Sequence, residues 1–465
     1  MPVLGPRLVV GGTASGVGKT TVATGLMAAF RRRGLVVGAA KVGPDFIDPG
    51  YHALATGRPG RNLDPWICGP DAMAPLAGRA GEGADVLIVE GVMGLFDGSA
   101  TARVAGDPVD GDLASTAQVA RLLDAPVLLV LDAASASRSI AAVLHGFATF
   151  DPSLRIGGVI LNQLGSDHHE QMVRDALAGL EIAVLGALRR DETLSWRDRH
   201  LGLVPVIEHP EVVRASLDRL ASTIERRCDL DAIGALAAGA PVRVVEAPPG
   251  ATPQAGDGRR PLIAVVGGPA FSFTYPDNLE LLEQAGAELV PLDPFHDKAL
   301  PEALSGLVAG GGFPEIHAEA LAANRPLLDE VHDRIQDGLV TWAECGGMLW
   351  LAATLDGTPL ADAIPVNAVM TKRLTLGYRR AILRYDGPLG ATGTELWGHE
   401  FHYSEVDHSG EAMTLQGRTG ETRAGWVTPT LMASYLHLHL GAAPHLAEQF
   451  VRTCRARAGA MPARR

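Results

Sequence analysis

The stretch GGTASGVGKTT at residues 11–21 constrains the fold of this chain more than any other segment. It follows the apolar run RLVV and precedes the helix-like segment VATGLMAAFRRRG. Repeated glycine lets backbone N–H groups converge on a phosphate, while a Lys and a hydroxyl reach its oxygens and Mg²⁺. The sequence therefore predicts a phosphate-binding loop between a strand and a helix.

This loop departs from the strict pattern, in which four residues separate a glycine from Gly-Lys-Ser/Thr. Thr13 occupies the place of that glycine, and Gly12 lies one residue too early. A glycine-rich turn without a ligand is the alternative, but the flanking strand and helix favour nucleotide binding. The candidate nucleotide-binding residues of the loop are Gly12, Ser15, Gly16, Gly18, Lys19, Thr20 and Thr21.

Short apolar runs alternate with helix-length segments over the first half of the chain. The runs are LVVGAAK (35–41), DVLIVEG (85–91), PVLLVLD (126–132), RIGGVILN (155–162) and IAVLGAL (182–188). Their β-branched content is typical of strands that are buried on both faces. The alternation predicts an α/β fold with a doubly wound parallel sheet, which binds ligands at the carboxyl ends of its strands.

Polar residues follow these predicted strands. Lys41 closes the second strand, where its ammonium is suited to offset the charge of a transferring phosphoryl group. Asn162 is a candidate for contacting the edge of a nucleotide base, with an ordinary turn residue as the alternative. Ordinary ion pairs between strand ends are the alternative for the charged residues. The candidate Mg²⁺ ligands are Thr20, Asp45, Asp48 and Glu90.

Composition limits the class of partner. The chain has 465 residues, 47% of them hydrophobic and 20% charged, which is enough for two to four globular domains. A net charge of −13 argues against a general nucleic-acid surface or an anionic-membrane surface and favours small-molecule partners. The four scattered cysteines form no metal-like spacing, and no apolar run approaches the length of a membrane span. A cytoplasmic protein is expected.

A second domain is predicted after a connection that is rich in Pro, Gly and Ala. We place the first domain at residues 1–235, the linker at 236–260 and the second domain at 261–465. The second domain again alternates strands with helices, as in LIAVVGG, NLELLEQAG and LVTWAE. It is therefore α/β as well, but it has no phosphate-binding loop.

The chemistry of the second domain centres on Cys345, in TWAECGGMLWL, where an apolar strand meets a helix. Such an elbow is expected to expose the sulfur, and the helix N-terminus to favour the thiolate. In LMASYLHLHLG, His437 and His439 share one face of a late strand and are candidate bases. A buried cysteine and structural histidines are the alternative. A turn with oxyanion-stabilising N–H groups is predicted at Gly310, Gly311 and Gly312.

At these residues the chain resembles a known family. The chain is similar to the cobyrinic or hydrogenobyrinic acid a,c-diamide synthases of cobalamin biosynthesis. The segments that carry this resemblance are GTASGVGKTT, KVGPDFIDPGYH, NLDPWI, VEGVMGLFDG, AFSFTYPDNLELLE, GGGFPEIHAE, ECGGM, GHEFHYS and ASYLHLH. The matches run from about residue 8 to residue 440. The N-terminal half resembles dethiobiotin synthetase, which implies a P-loop NTPase-like parallel sheet. The C-terminal half resembles class I glutamine amidotransferases.

The resemblance implies ATP- and Mg²⁺-dependent amidation of two carboxylates on a corrinoid substrate, through an acyl phosphate, with glutamine as nitrogen donor. It also implies that Cys345 is the nucleophile and His437 its base. Ordinary class I domains carry Glu two residues after the catalytic His, where His439 stands here. Whether the ring carries cobalt stays open, although a composition rich in Ala, Gly and Arg favours the metal-free ring by association. Homodimerisation also stays open.

The segment GHEFHYS at residues 398–404 is specific to this family. Its side chains His399, Glu400 and His402 are candidates for contacting the corrin or the domain interface. A zinc site is disfavoured because no further ligand set accompanies them.

Two rival functions remain open. A partition-type ATPase switch shares GVGKTT, but it carries an extra Lys where Ala14 stands and has no need of Cys345. A cobyric acid synthase resembles both halves but amidates four other side chains. The segments GPDFIDPGYH and YLHLH favour the a,c enzyme.

Overall fold

The computed structural model describes residues 2–104, 107–191, 198–199, 202–203, 206, 210–253 and 260–460. The chain divides into two units, Met1–Ala100 with Val109–Pro248 and Thr101–Pro108 with Pro249–Arg465. The domain limits given above stay a prediction, and residues 254–259 of the predicted linker lie outside the described residues. No helix of the described segments is long and apolar enough to cross a membrane.

The first unit contains eleven described strands and nine described α-helices. Strands β1 to β11 are Val3–Leu4, Arg7–Gly12, Val37–Val42, Arg61–Leu63, Val86–Glu90, Val127–Asp132, Ile156–Leu164, Val184–Arg189, Asp198–Arg199, Gly202–Leu203 and Arg243–Val244. Helices α1 to α9 are Lys19–Arg32, Ile47–Thr56, Pro65–Cys68, Met73–Ala80, Thr116–Leu123, Ser139–Phe150, Asp167–Leu177, Pro210–Arg227 and Leu230–Ala238.

The main sheet of this unit has the order β4-β3-β5-β2-β6-β7-β8, and all of its pairings are parallel. This confirms the doubly wound α/β sheet. Strands β2, β3 and β5 are buried along their whole length, as their continuous apolar sequences predict. Apolar residues of α1, α8 and α9, such as Leu26, Leu220 and Ile233, pack into one core with the sheet. The carboxyl ends of β2, β3 and β5 therefore meet at one edge beside the phosphate loop.

The second unit contains the remaining described elements. Strands β12 to β24 are Leu262–Val266, Glu288–Leu292, Leu304–Ala309, Val340–Glu344, Ala352–Leu355, Thr358–Pro359, Ile364–Leu383, Glu395–Val406, Met413–Gly417, Gly420–Ala424, Trp426–Thr428, Leu431–Ser434 and His437–Leu438. Helices α10 to α14 are Pro276–Gln284, Ala318–Ala322, Arg325–Gln336, Gly346–Leu351 and Pro444–Ala460.

Two sheets organise this unit. The first has the order β13-β12-β14-β15-β23-β22, parallel except for the edge strand β22. The second has the order β17-β16-β18-β19-β24, with β20 and β21 added beside β18. It is antiparallel apart from the β16–β18 pair. The alternation of strands and helices predicted the first sheet, whereas the second sheet was not predicted. Strand β19 carries the GHEFHYS segment into that second sheet.

The close approach of α13 to β14 generates a stability prediction. A Cβ on Gly347 would lie 2.2 Å from the carbonyl oxygen of Ala309, which is backbone and cannot rotate away. We expect Gly347→Ala to destabilise the second unit by about 1–3 kcal/mol, because overpacking forces backbone shifts. Hydrogen exchange of the β14 and β15 amides measures the loss. Gly267→Ala is the control, because a Cβ there meets nothing within 4 Å. Equal protection in both variants would contradict the packing argument.

Candidate functional site

The phosphate loop is shaped by glycines at its base and at the start of the helix. A Cβ on Gly12 would lie 2.7 Å from Val17 and 2.9 Å from the Lys19 side chain. Gly18, which precedes α1, has φ +97°, a left-handed conformation that favours glycine. The Lys19 ammonium folds back over the loop and donates to the Ala14 carbonyl at 2.9 Å. Burial, followed by the charge of Lys41, lowers the pKa of Lys19 to about 8.

The other loop candidates are arranged around this turn. Ser15 and Gly16 are exposed at its tip, while Thr20 and Thr21 lie in the first turn of α1 and are half-buried. Asn162, at the end of β7, donates from Nδ2 to the Val17 carbonyl at 2.9 Å. This hydrogen bond from the Asn162 amide therefore stabilises the backbone of the loop. A contact of Asn162 with a nucleotide base stays a prediction.

The strand ends bring four predicted side chains together at one point. Lys41 and Glu90 are register partners on β3 and β5, and the Lys41 Nζ lies 2.8 Å from Glu90 Oε1. The same Nζ lies 2.7 Å from Asp48 Oδ2. Thr20 donates from Oγ1 to Glu90 Oε1 at 2.6 Å, and Asp48 Oδ2 lies 3.4 Å from that hydroxyl. We call these four residues, Thr20, Lys41, Asp48 and Glu90, the acidic cluster.

Charge balance in the acidic cluster is uneven because one ammonium faces two carboxylates. Burial alone would raise the pKa of Glu90, but Lys41 and the hydrogen-bonded His52 outweigh it and hold that pKa below its ordinary value. Burial would lower the pKa of Lys41, yet Asp48 and Glu90 raise it. Burial, followed by the charges of Asp45 and Glu90, raises the pKa of Asp48. Glu90 and Lys41 are therefore the firmly ionised pair.

His52 belongs to this site, although it was not among the residues predicted from the sequence. Its Nε2 lies 2.6 Å from Glu90 Oε2, and neither side chain is exposed to solvent. The signal was present, because Asp48 and His52 are four residues apart in α2 and therefore share one face of the helix.

The oxygen atoms of the acidic cluster suit Mg²⁺, which prefers hard oxygen ligands. In the parts of the chain that the structure describes, no group of three His, Cys, Asp or Glu residues is placed to hold a metal ion. The cluster offers two carboxylates and a hydroxyl, so phosphate oxygens and water would have to complete the coordination. Asp45 is placed differently, since its Oδ1 accepts the N–H groups of Ile47 at 2.7 Å and Asp48 at 3.3 Å. Its role as a metal ligand stays a prediction.

Cys345 joins β15 to α13 in a strained turn, with φ +46° and ψ −104°. The prediction that this elbow exposes the sulfur is wrong, because Cys345 is only 5% exposed. Burial, followed by the charge of Glu315, raises the pKa of the thiol, so the expected preference for thiolate is reversed as well. The thiol Sγ lies 3.9 Å from the Phe401 carbonyl of β19. The raised pKa favours the neutral thiol, so a role as nucleophile would require a base.

The turn at Gly311 and Gly312 lies between this elbow and His437. A Cβ on Gly311 would lie 2.3 Å from His437 Cε1, and a Cβ on Gly346 would lie 2.8 Å from the Gly312 nitrogen. Gly311 itself donates its N–H to the Phe273 carbonyl at 3.0 Å. Of the three predicted oxyanion donors, Gly310, Gly311 and Gly312, the last is therefore the one whose nitrogen lies beside the Cys345 turn.

The two candidate histidines have different neighbours because the predicted late strand is interrupted. Strand β23 ends at Ser434, and His437 begins β24, which pairs with β19 instead. His439 packs on Tyr275, with ring centroids 4.5 Å apart, and its Nε2 lies 3.9 Å from Asp277 Oδ2. The structure thus places His437 beside the glycine turn and His439 beside α10.

The GHEFHYS segment contributes to this same region. His399 is the register partner of His437, and their rings stack with centroids 5.0 Å apart. His402 stacks on Tyr435 at 3.6 Å. Glu400 is bound by the Arg379 guanidinium at 2.7 Å. The segment therefore contacts Cys345 through Phe401 and His437 through His399, whereas a contact with the corrin stays a prediction.

The matching family models fit these two sites. Residues 8–203 match a CobQ/CobB/MinD/ParA nucleotide binding domain, and residues 262–445 match a CobB/CobQ-like glutamine amidotransferase domain. Fold and sites therefore define a nucleotide-binding protein with a glutamine amidotransferase domain.

Relatives over nearly the whole length define the family more closely. The hydrogenobyrinate a,c-diamide synthase of Streptomyces coelicolor is 46% identical over 97% of this chain and 98% of its own. That of Thermobifida fusca is 44% identical over 96% of each chain. The cobyrinate a,c-diamide synthase of a Synechococcus strain is 41% identical over 96% of this chain and 98% of its own. The chain belongs to the family of hydrogenobyrinate and cobyrinate a,c-diamide synthases.

The acidic cluster generates a prediction about stability. Replacing Lys41 by Met removes the buried ammonium and leaves the Glu90 carboxylate buried beside Asp48 without its counter-charge. We expect the first unit to lose about 3–5 kcal/mol of unfolding free energy, the usual cost of breaking a buried ion pair from one side. Hydrogen exchange of the β3 and β5 amides measures this loss. Arg33→Met is the control, because its ion pair with Asp231 is exposed and should contribute little. An unchanged Lys41→Met protein would refute the buried-charge interpretation.

Proposed function

We propose that this chain amidates the a and c carboxylates of a corrin ring, using ATP for activation and glutamine as the nitrogen donor. The observation that carries the proposal is the presence of two chemically different sites in one chain. The acidic cluster with its phosphate loop suits phosphoryl transfer, and Cys345 with His437 suits release of ammonia from an amide. Relatives named for this amidation match nearly the full length of the chain.

The first half-reaction activates the substrate, because a carboxylate is a poor electrophile. A carboxylate oxygen attacks the γ-phosphorus of ATP, ADP leaves, and an acyl phosphate forms. Lys19 and Lys41 offset the negative charge that accumulates on the transferring group. Mg²⁺, when bound, neutralises phosphate charge further, and Thr20, Asp48 and Glu90 are the residues that would hold it.

The second half-reaction supplies ammonia. His437 takes the proton of the Cys345 thiol, and the sulfur attacks the side-chain amide carbon of glutamine. His437 then returns the proton to the departing ammonia, leaving a thioester that water hydrolyses to glutamate and free Cys345. Ammonia attacks the acyl phosphate and displaces phosphate, which leaves the carboxamide. The Gly312 amide is the candidate donor to the oxyanion of the thioester-forming step.

We assign the metal-free ring as substrate, which is supported by the names of the relatives that are 46% and 44% identical. Asp45 is assigned to positioning the substrate carboxylate or the metal. The cytoplasmic location and homodimerisation stay predictions.

Cys345→Ser separates the two half-reactions. Glutamine-dependent amidation by the variant should fall by about 100-fold or more, because the serine hydroxyl is a far weaker nucleophile than the cysteine thiol. Synthesis driven by a high ammonium concentration should stay near the wild-type rate. Product formation with each nitrogen source measures both effects. Cys228→Ser, in the first unit, is the matched control that should keep both activities. Equal loss of amidation with glutamine and with ammonium would contradict the assignment of the two half-reactions to separate sites.

Lys19→Ala tests the other half-reaction. Without the Lys19 ammonium the phosphoryl group loses a preorganised charge, so amidation should fall by about 100-fold or more with glutamine and with ammonium alike. Hydrolysis of glutamine to glutamate should persist. The measurements are corrinoid amidation and glutamate release by the same preparation. Lys298→Ala, on the surface of the second unit, should leave both unchanged. Ammonium-dependent synthesis by Lys19→Ala would reject the assignment.

A further inference from the structure

Glu344 immediately precedes the proposed nucleophile on β15, and its carboxylate is buried. Its Oε1 accepts the backbone N–H of Leu438 at 2.9 Å, which ties β15 to β24 just after His437. Its Oε2 lies 3.8 Å from His437 Nδ1. One side chain thus contacts both the backbone beside His437 and the side of the ring that carries Nδ1.

We propose that Glu344 is a positioning residue for His437, which fixes β24 through Leu438 and supplies a carboxylate to the imidazolium that forms when His437 takes the Cys345 proton. The inference rests on the proposed function of the second unit. It deepens that function by giving the base a carboxylate partner from the strand that precedes the nucleophile.

The position two residues after His437 does not supply this partner. His439 stands there, and its ring is engaged with Tyr275 and lies 3.9 Å from Asp277. The neighbour of His437 on β19 is another imidazole, His399, which carries no negative charge to offset an imidazolium. The carboxylate partner for the His437 ring therefore comes from β15 and not from the position two residues after His437.

Burial makes the charges of Glu344 and His437 mutually dependent. It raises the pKa of the Glu344 carboxyl to about 8 and lowers that of His437 well below its ordinary value. Each ion alone is disfavoured in this interior, but an imidazolium beside a carboxylate offsets both costs. Other titratable or charged groups from the elements packed here are Cys345, His399, His402, His439, Glu400 and Arg379.

The test is the pH dependence of glutamine hydrolysis by the full chain carrying Glu344→Gln. The amide oxygen of Gln still accepts the Leu438 N–H, so the backbone contact stays while the charge is lost. Well below pH 8 the wild-type carboxyl is protonated and should resemble Gln. Well above it, kcat of the variant should fall about tenfold or more below wild type, with little change in KM for glutamine. Glu330→Gln is the control, because Glu330 also accepts a backbone N–H, that of Leu300 at 2.9 Å.

A wild-type to Glu344→Gln ratio that rises with pH supports the proposal, and a ratio that is constant or near one overturns it. If the variant does not fold, a wild-type kcat that stays flat through pH 8 overturns it as well. Failure of the proposed function is seen separately, because wild-type protein would then amidate no corrinoid with glutamine or with ammonium.

Discussion

The ammonium of Lys41, held between Asp48 and Glu90, is the interaction on which the first site depends. It brings the ends of β3 and β5 and the start of α2 to one point, and Thr20 joins them from the first turn of α1. These elements are adjacent because the sheet is parallel and its strands all end at the same edge. Breaking a buried ion cluster of this kind from one side is costly, because it leaves a buried charge without its partner.

The second site follows the same architectural rule with different chemistry. Cys345 stands at the carboxyl end of β15, and its neutral, buried thiol needs a base. The second sheet places His437, the proposed base, on β24 beside β19. The two units therefore offer charge neutralisation in one place and a nucleophile with a proton acceptor in the other. On the proposed division, neither site alone converts a carboxylate into an amide with glutamine as the nitrogen source.

The sequence predicted what is local or periodic. The phosphate loop, Lys19 and the strand ends could be found because glycine spacing and strand-helix alternation carry direct physical meaning. His52 was not predicted, although its spacing of four residues from Asp48 indicates a shared helix face. The role of Glu344 depends on β15 meeting β24 across 94 residues of chain, and no local pattern reports that contact. The contact of Cys345 with the Phe401 carbonyl likewise depends on β19, a strand of the second sheet, which was not predicted.

We propose that one chain couples carboxylate activation on a corrin ring to the release of ammonia from glutamine. The most direct measurement incubates the full chain with hydrogenobyrinic acid, ATP, Mg²⁺ and glutamine labelled with ¹⁵N in its side-chain amide, followed by mass spectrometry of the corrinoid. We expect a product with two carboxamides in place of two carboxylates, both carrying the label. A ring that gains no amide, or one that gains four, would contradict it.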